Sequence, residues 1–205
     1  TSTHVEVARP LLHRGQWCLV EKPLADSPAE TCLLEDQRLV VGHIERYNPA
    51  VRALGPVRPR YVEARRVSTP VSRGMDVDVV FDLMIHDLDL VLHWSGGSRA
   101  EVVDAVGVVG PSGVWDVASV RLRVGADLTA SLMASRVSTA RQRFVHVFEP
   151  GRSVRLDLLK GQAFADGEML GHDDDSDALT AQWRAFTDMV VGRVPPTPSG
   201  REATD

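Results

Sequence analysis

The feature that most restricts the fold is a two-residue rhythm between 115 and 124, where Ala118, Val120, Leu122 and Val124 alternate with Ser119, Arg121 and Arg123. Successive side chains of a strand leave on opposite sides, so this spacing makes one apolar and one charged face, which a helix cannot do. Segments of strand length recur at 57–67, 101–109, 127–137, 143–149 and 153–159, with turn signals at Gly125-Ala126 and Gly151-Arg152. The expected product is a large, mostly antiparallel open sheet, one face packed on helices and the other available to solvent or a partner subunit. Helices are expected at about 81–94 and 177–191.

The first fifty residues follow a different rule. Val5, Ala8, Leu11 and Leu12 recur at helical spacing, and Gly15 stands where a helix ends. Trp17 to Val20 is a short apolar run closing on Glu21-Lys22-Pro23, as in a buried parallel strand. Ser27-Pro28-Ala29-Glu30 starts a helix lasting to about Gln37, and Leu39-Val40-Val41 makes the next strand. The fold class is therefore α/β: residues 1–50 form the C-terminal part of a Rossmann-like parallel sheet, and residues 51–205 an α+β domain holding the open sheet. Thr1-Ser2-Thr3-His4 runs into the first helix with no methionine or polar lead-in, which reads as a chain lacking its upstream part. At the other end, Pro195 to Gly200 reads as an extended loop before the first turn of an uncompleted helix.

Composition narrows the function. A chain of 205 residues with 43% hydrophobic content can bury a core. A net charge of −5, with basic residues dispersed, argues against nucleic acid or an anionic membrane as partner. The two cysteines, Cys18 and Cys32, form no CxxC pair, which speaks against a disulfide framework or structural zinc and for a reducing compartment. No apolar run approaches the roughly 20 residues of a bilayer span, so the expected location is cytoplasmic.

Three stretches could carry chemistry. In the helix near 81–94, Phe81, Met84, Ile85, Leu88, Val91 and Leu92 make an apolar face, and Asp82, His86, Asp89 and His93 share the opposite stripe. A carboxylate one turn below a histidine can orient the ring and raise its basicity, as a general base requires. The same spacing suits an ordinary surface helix, or a metal site drawing His86 and His93 with Asp82 or Asp89. Lys22, at the tip of a buried strand, presents a partly desolvated ammonium to a developing alkoxide or a ribose hydroxyl, or is a plain turn lysine. In the segment Gly42 to Pro49, Arg46 and Asn48 offer multidentate hydrogen bonds to sugar hydroxyls or phosphate, or belong to a structural turn closed by Pro49. His4, His13, His146 and His172 have no constellation of their own, and Asp173 to Asp175 read as a solvated loop capping the last helix.

Taken in order, Thr1-Ser2-Thr3-His4, Glu21-Lys22-Pro23, Gly42-His43 with Arg46-Tyr47-Asn48-Pro49, and Asp82 with His86 resemble the signature of the Gfo/Idh/MocA oxidoreductases. The strand-rich remainder is similar to that family's C-terminal sheet domain, and the 42–49 segment resembles members acting on nucleotide-linked amino sugars. The resemblance implies hydride transfer between NAD or NADP and a secondary alcohol or ketone of a sugar, nucleotide sugar or cyclitol. It implies His86 as the group taking the hydroxyl proton, Asp82 orienting or polarising at the same ring, and Lys22 contacting substrate and nicotinamide ribose. It places Thr1, His4 and Glu21 beside the cofactor, and Arg46, Tyr47 and Asn48 against the substrate. It also implies a homodimer or homotetramer formed through the open sheet face.

The sequence departs from the family pattern twice. The glycine-rich turn and the residue selecting NAD over NADP fall before Thr1, and the stretch from Lys22 to Gly42 is short by about two helical turns. Two other readings stand beside the enzyme: a truncated, non-catalytic relative keeping the sheet domain for assembly, and a metal-binding protein using Asp82, His86, Asp89 and His93.

Overall fold

A computed structural model describes residues 3–198, apart from Asp26, Glu35, 71–76, 111–112, 172–175 and the side chain of Pro28. The chain divides into two compact units, Thr1–Tyr47 with Ser176–Asp205, and Asn48–Asp175.

In the first unit the helix α1 (His4–His13) buries Ala8 and Leu12, one turn apart. It stops where Gly15 adopts φ 74°, and the Gly15 N–H donates to Leu12 O at 2.8 Å. Strand β1 (Cys18–Glu21) lies parallel to β2 (Leu39–Gly42) with Cys18 opposite Leu39 and Glu21 opposite Gly42. Between them run a short helix α2 (Pro28–Thr31) and a 3₁₀ turn (Cys32–Leu34). Ala8, Leu12, Cys18, Leu24, Leu34, Leu39 and Val41 close into one core. Each large aliphatic side chain fully buried there contributes about 1.5–3 kcal/mol. A second 3₁₀ turn, Ile44–Tyr47, follows β2 and packs on the long C-terminal helix, Ala178–Val190. The sequence pattern assigns that helix to the same domain as the sheet, whereas in the structure it groups with the first unit.

The second unit opens with α3 (Pro49–Leu54), which the sequence pattern reads as loop; its N-cap is Asn48 and its first residue a proline. Then come β3 (Tyr61–Val67), a π-helical turn (Val80–Met84), α4 (Ile85–Trp94), and β4 (Ala100–Val109), β5 (Trp115–Val124), β6 (Leu128–Ser135), β7 (Gln142–Glu149) and β8 (Arg152–Asp157). Two short strands absent from the sequence pattern, β9 (Gln162–Ala165) and β10 (Glu168–Leu170), complete it. The C-terminal helix of the first unit is α5 (Ala178–Val190).

The eight strands are ordered β10-β9-β8-β7-β3-β6-β5-β4. Within this sheet β3 and β6 run parallel, and the other described neighbours are antiparallel. β3 is held along its whole length on both sides, with Val62 opposite Ala130 on β6 and Val147 on β7. The alternation predicted for β5 is present: Ala118, Leu122 and Val124 are buried, and Ser119, Arg121 and Arg123 are exposed. With Val62, Ala130, Leu132, Val145, Val147, Val154 and Leu156 they form the inner face, on which Met84, Leu90 and Val91 pack. The edge strand β4 is exposed at every position.

Candidate active site

The residues at the C-terminal ends of β1 and β2 form the candidate group of the first unit. Open α/β sheets place ligands at such ends. Glu21 is exposed, while Lys22 and Pro23, joined by a cis peptide bond, are half-buried. His4 Nδ1 lies 3.0 Å from Pro23 O. A carbonyl only accepts, so Nδ1 is the donor in this bond. The contact ties the first turn of α1 to the turn carrying Lys22. The carboxylate of Glu21 lies over Gly42, where a Cβ would stand 2.9 Å from Oε1, so a larger residue there would push that exposed side chain aside. Thr1 lies outside the described residues.

The segment after β2 is more committed to structure than its sequence indicates. Half-buried Arg46 donates from Nη1 to Thr197 Oγ1 at 3.2 Å, and Tyr47 beside it is also half-buried. Asn48 is buried, its Oδ1 accepts from Ala50 N–H at 3.0 Å, and its Nδ2 donates to Leu158 O at 2.9 Å. That amide therefore caps α3, as an asparagine before a proline can, and tethers the turn after β8, for which the sequence carries no local signal. Among the seven histidines, His43 is buried beside this segment and His146 lies on the open sheet face. His172 and Asp173 to Asp175 fall outside the described residues.

The candidate group of the second unit sits on the helix entered after β3. Asp78 starts it, its Oδ1 accepting from Val80 N–H at 2.9 Å and Phe81 N–H at 3.1 Å. The first turn is π-helical, with Ile85 N–H reaching back to Val80 O, and the chain tightens to α from Ile85. π turns recur at functional sites. Here one holds Asp82, and His86 follows at the second α-helical position, both half-buried. The wider turn breaks the uniform stripe that α-helical spacing predicts. Phe81, expected on the packed face, is 42% exposed; Asp89, expected outward, is buried; and His93 is exposed. Asp82, His86, Asp89 and His93 thus occupy different environments, and among the described residues no three His, Cys, Asp or Glu side chains are grouped to hold a metal ion.

Two residues that the sequence pattern passes over complete this region. Arg66 of β3, 1% exposed, and Asp87 of α4, 3% exposed, form an ion pair. Arg66 Nε lies 3.2 and 3.0 Å from the two carboxylate oxygens, and Nη2 donates to Oδ1 at 2.8 Å. A signal exists in the sequence: Val62, Ala64 and Arg66 share one side of β3, so the arginine must point into the core. A second buried pair joins Arg136 Nε to Asp116 Oδ1 at 3.1 Å, and Arg136 also donates to the carbonyls of Val77 and Trp115. That anchors the segment leading into the π turn. Burial, aided by the charge of Asp36, pushes the Cys18 thiol up, away from the reactive thiolate, and Cys32 is exposed.

The chain comprises a parallel α/β unit whose strand tips carry a lysine and an α+β unit whose open sheet supports an acid–imidazole helix, which together define a two-part α/β class. Within it, the chain belongs to the GFO/IDH/MocA family: residues 51–154 match the GFO/IDH/MocA C-terminal domain. It is 38% identical over 168 residues to a UDP-N-acetylglucosamine 3-dehydrogenase of Acidithiobacillus ferrooxidans, a match covering 78% of this chain and 53% of that protein. The chain thus spans about half the length of the curated relative it matches. The solved structure of the UDP-N-acetylglucosamine 3-dehydrogenase from A. ferrooxidans superposes with a TM-score of 0.87 at 33% identity, covering 100% of this chain and 71% of that one. Levoglucosan dehydrogenase in complex with NADH and levoglucosan shares the fold, with a TM-score of 0.83 at 16% identity, covering 99% and 72%.

Proposed function

We propose that the protein works as an NAD- or NADP-dependent oxidoreductase on a secondary alcohol or ketone of a nucleotide-linked sugar. The observation that carries this reading is the 33% identity and TM-score of 0.87 to UDP-N-acetylglucosamine 3-dehydrogenase over all of this chain. Oxidising a secondary alcohol means removing the hydroxyl proton and a hydride from the same carbon. The half-buried imidazole of His86 takes the proton, Asp82 one turn earlier orients and polarises at that ring, and Lys22 stabilises the developing alkoxide. Arg46 and Tyr47 are placed on the sugar's polar groups, Asn48 being committed to capping α3. NAD or NADP, when bound, supplies the hydride acceptor.

The donor set fits the nicotinamide-ribose end of such a cofactor. Lys22 and His4, with Glu21, supply an ammonium, an imidazole and a carboxylate around a strand tip, and Thr1 is assigned to the same cofactor from the sequence alone. No G-x-G-x-x-G cradle for a pyrophosphate occurs within the 205 residues. A second reading is a non-catalytic relative whose open sheet serves assembly. In either reading we place the protein in the cytoplasm as a homodimer or homotetramer joined through that sheet; among the described residues no helix is long and apolar enough to cross a membrane.

Absorbance of reduced nicotinamide in full-length protein, given NAD or NADP and a panel of free and UDP-linked sugars, separates the two. The enzyme turns over a UDP-linked sugar, and His86→Ala and Lys22→Ala each lose roughly 10²–10⁴-fold in kcat. Wild-type rates in either variant remove that residue from the mechanism; a folded full-length protein that neither binds a dinucleotide nor turns over establishes the non-catalytic reading.

A further inference from the structure

The geometry points to Arg66 as a positioning residue for His86, acting through Asp87. Both members of the pair are almost wholly withdrawn from solvent. Taking two charges out of water costs several kcal/mol per ion, and apolar residues of similar volume often serve stability as well or better. Stability therefore does not explain the pair, whereas direction does. A guanidinium fork meeting a carboxylate at two points fixes both the separation and the rotation of the elements that carry them.

One of those elements cannot move. Arg66 is on β3, paired along its length to β6 and β7, with Arg66 opposite Ala134 and Arg143. The other needs to be held. Asp87 lies three residues after the π turn ends, in the first turn of α4 and directly after His86. A chain that passes from i→i−5 to i→i−4 hydrogen bonding can place that junction one residue earlier or later. At 3.6 residues per turn such a slip swings every following side chain by about 100°. It would carry Asp87 off the fork and turn His86 toward a different part of the surface. With Asp87 locked to the central strand only one phase survives, and the imidazole leaves the helix in one direction. In the proposed reaction that direction is toward the hydroxyl, so the functional consequence rests on His86 being the base; the mechanical claim does not.

Two variants of the full chain test it. Arg66→Met/Asp87→Leu replaces the pair with apolar volume and leaves no lone charge, and Arg66→Lys keeps the charge without the fork. The readout is the His86 imidazole Cε1–Hε1 resonance, assigned with His86→Gln, alongside thermal unfolding. In whichever variant unfolds cooperatively, the His86 resonance is expected to broaden or split while those of His4 and His146 stay in place. In full-length protein kcat is expected to fall about 10²-fold with KM little changed, the cost of a misplaced catalytic group. A single, unshifted His86 resonance in a folded variant overturns the inference and leaves Arg66 a packing residue. Wild-type turnover in His86→Ala would instead remove the base assignment, leaving the resonance result to stand alone.

Discussion

Two buried polar side chains meet opposite fates in this fold. Arg66 has its matching carboxylate within 2.8–3.2 Å. Gln182, 2% exposed on α5, has neither amide atom hydrogen-bonded. An amide taken from water without a partner costs about 1–3 kcal/mol by mutational measures, so an apolar residue of similar shape should do better. Gln182→Leu is expected to stabilise the protein by roughly 1–2 kcal/mol in urea unfolding; a loss of stability would show that the amide is satisfied by bound water. Residue-level legibility divides along the same line. The inward aim of Arg66 could be read from the alternation Val62, Ala64, Arg66, but its partner could not, because Asp87 lies 21 residues away on another element. Asn48 announces an N-cap by standing before Pro49, yet its second bond, to Leu158 O, spans 110 residues and has no local signature.

Among the elements, the end of α5 shows how one side chain ties stability to pH. Asp177 Oδ1 accepts from Thr180 N–H at 2.9 Å and Oδ2 from Thr180 Oγ1 at 3.0 Å. These bonds favour the ionised form, first the backbone and then the hydroxyl contact, and hold the carboxyl below its ordinary value of about 3.9. A lowered folded value means the stabilisation is complete above the unfolded value and lost as pH falls through the folded one. Amide exchange at the first turn of α5 should therefore quicken as pH drops below about 4, beyond the ordinary pH dependence of exchange measured in Asp177→Asn. An unchanged protection ratio between the two proteins would show that the carboxylate does not act as the cap. Elements with strong periodicity, such as β5 and α5, lie close to where the sequence places them. The π turn does not announce itself, since its wider winding is imposed by the anchors at Asp78 and Asp87 and not by residue preference. α3, β9 and β10 are six, four and three residues long, too short for a period to show.

For the molecule as a whole, the open face of the sheet is the surface through which we propose that copies of the chain associate. Tyr61 and Phe148 stand with ring centroids 5.7 Å apart, His146 meets Phe148 edge-on at 6.1 Å, and Arg155 lies 5.2 Å from the Phe164 ring. Rigid aromatic surface flanked by arginine is the usual make-up of an interface centre. Sedimentation is expected to give a dimer or tetramer of the chain, and Phe148→Glu/Phe164→Glu to give monomers that remain folded; a monomeric wild type at tens of micromolar would dismiss this use of the face. What the sequence determines by itself is whatever depends on neighbours along the chain: strand and helix periods, the order of the motifs, and through these the family. The tertiary structure alone decides which inward charge meets which, where the helix under His86 changes its winding, and that α5 joins the first unit. Local preferences act over a turn or two, whereas pairing a buried arginine with a carboxylate is settled only when strand and helix have been brought together and water has left.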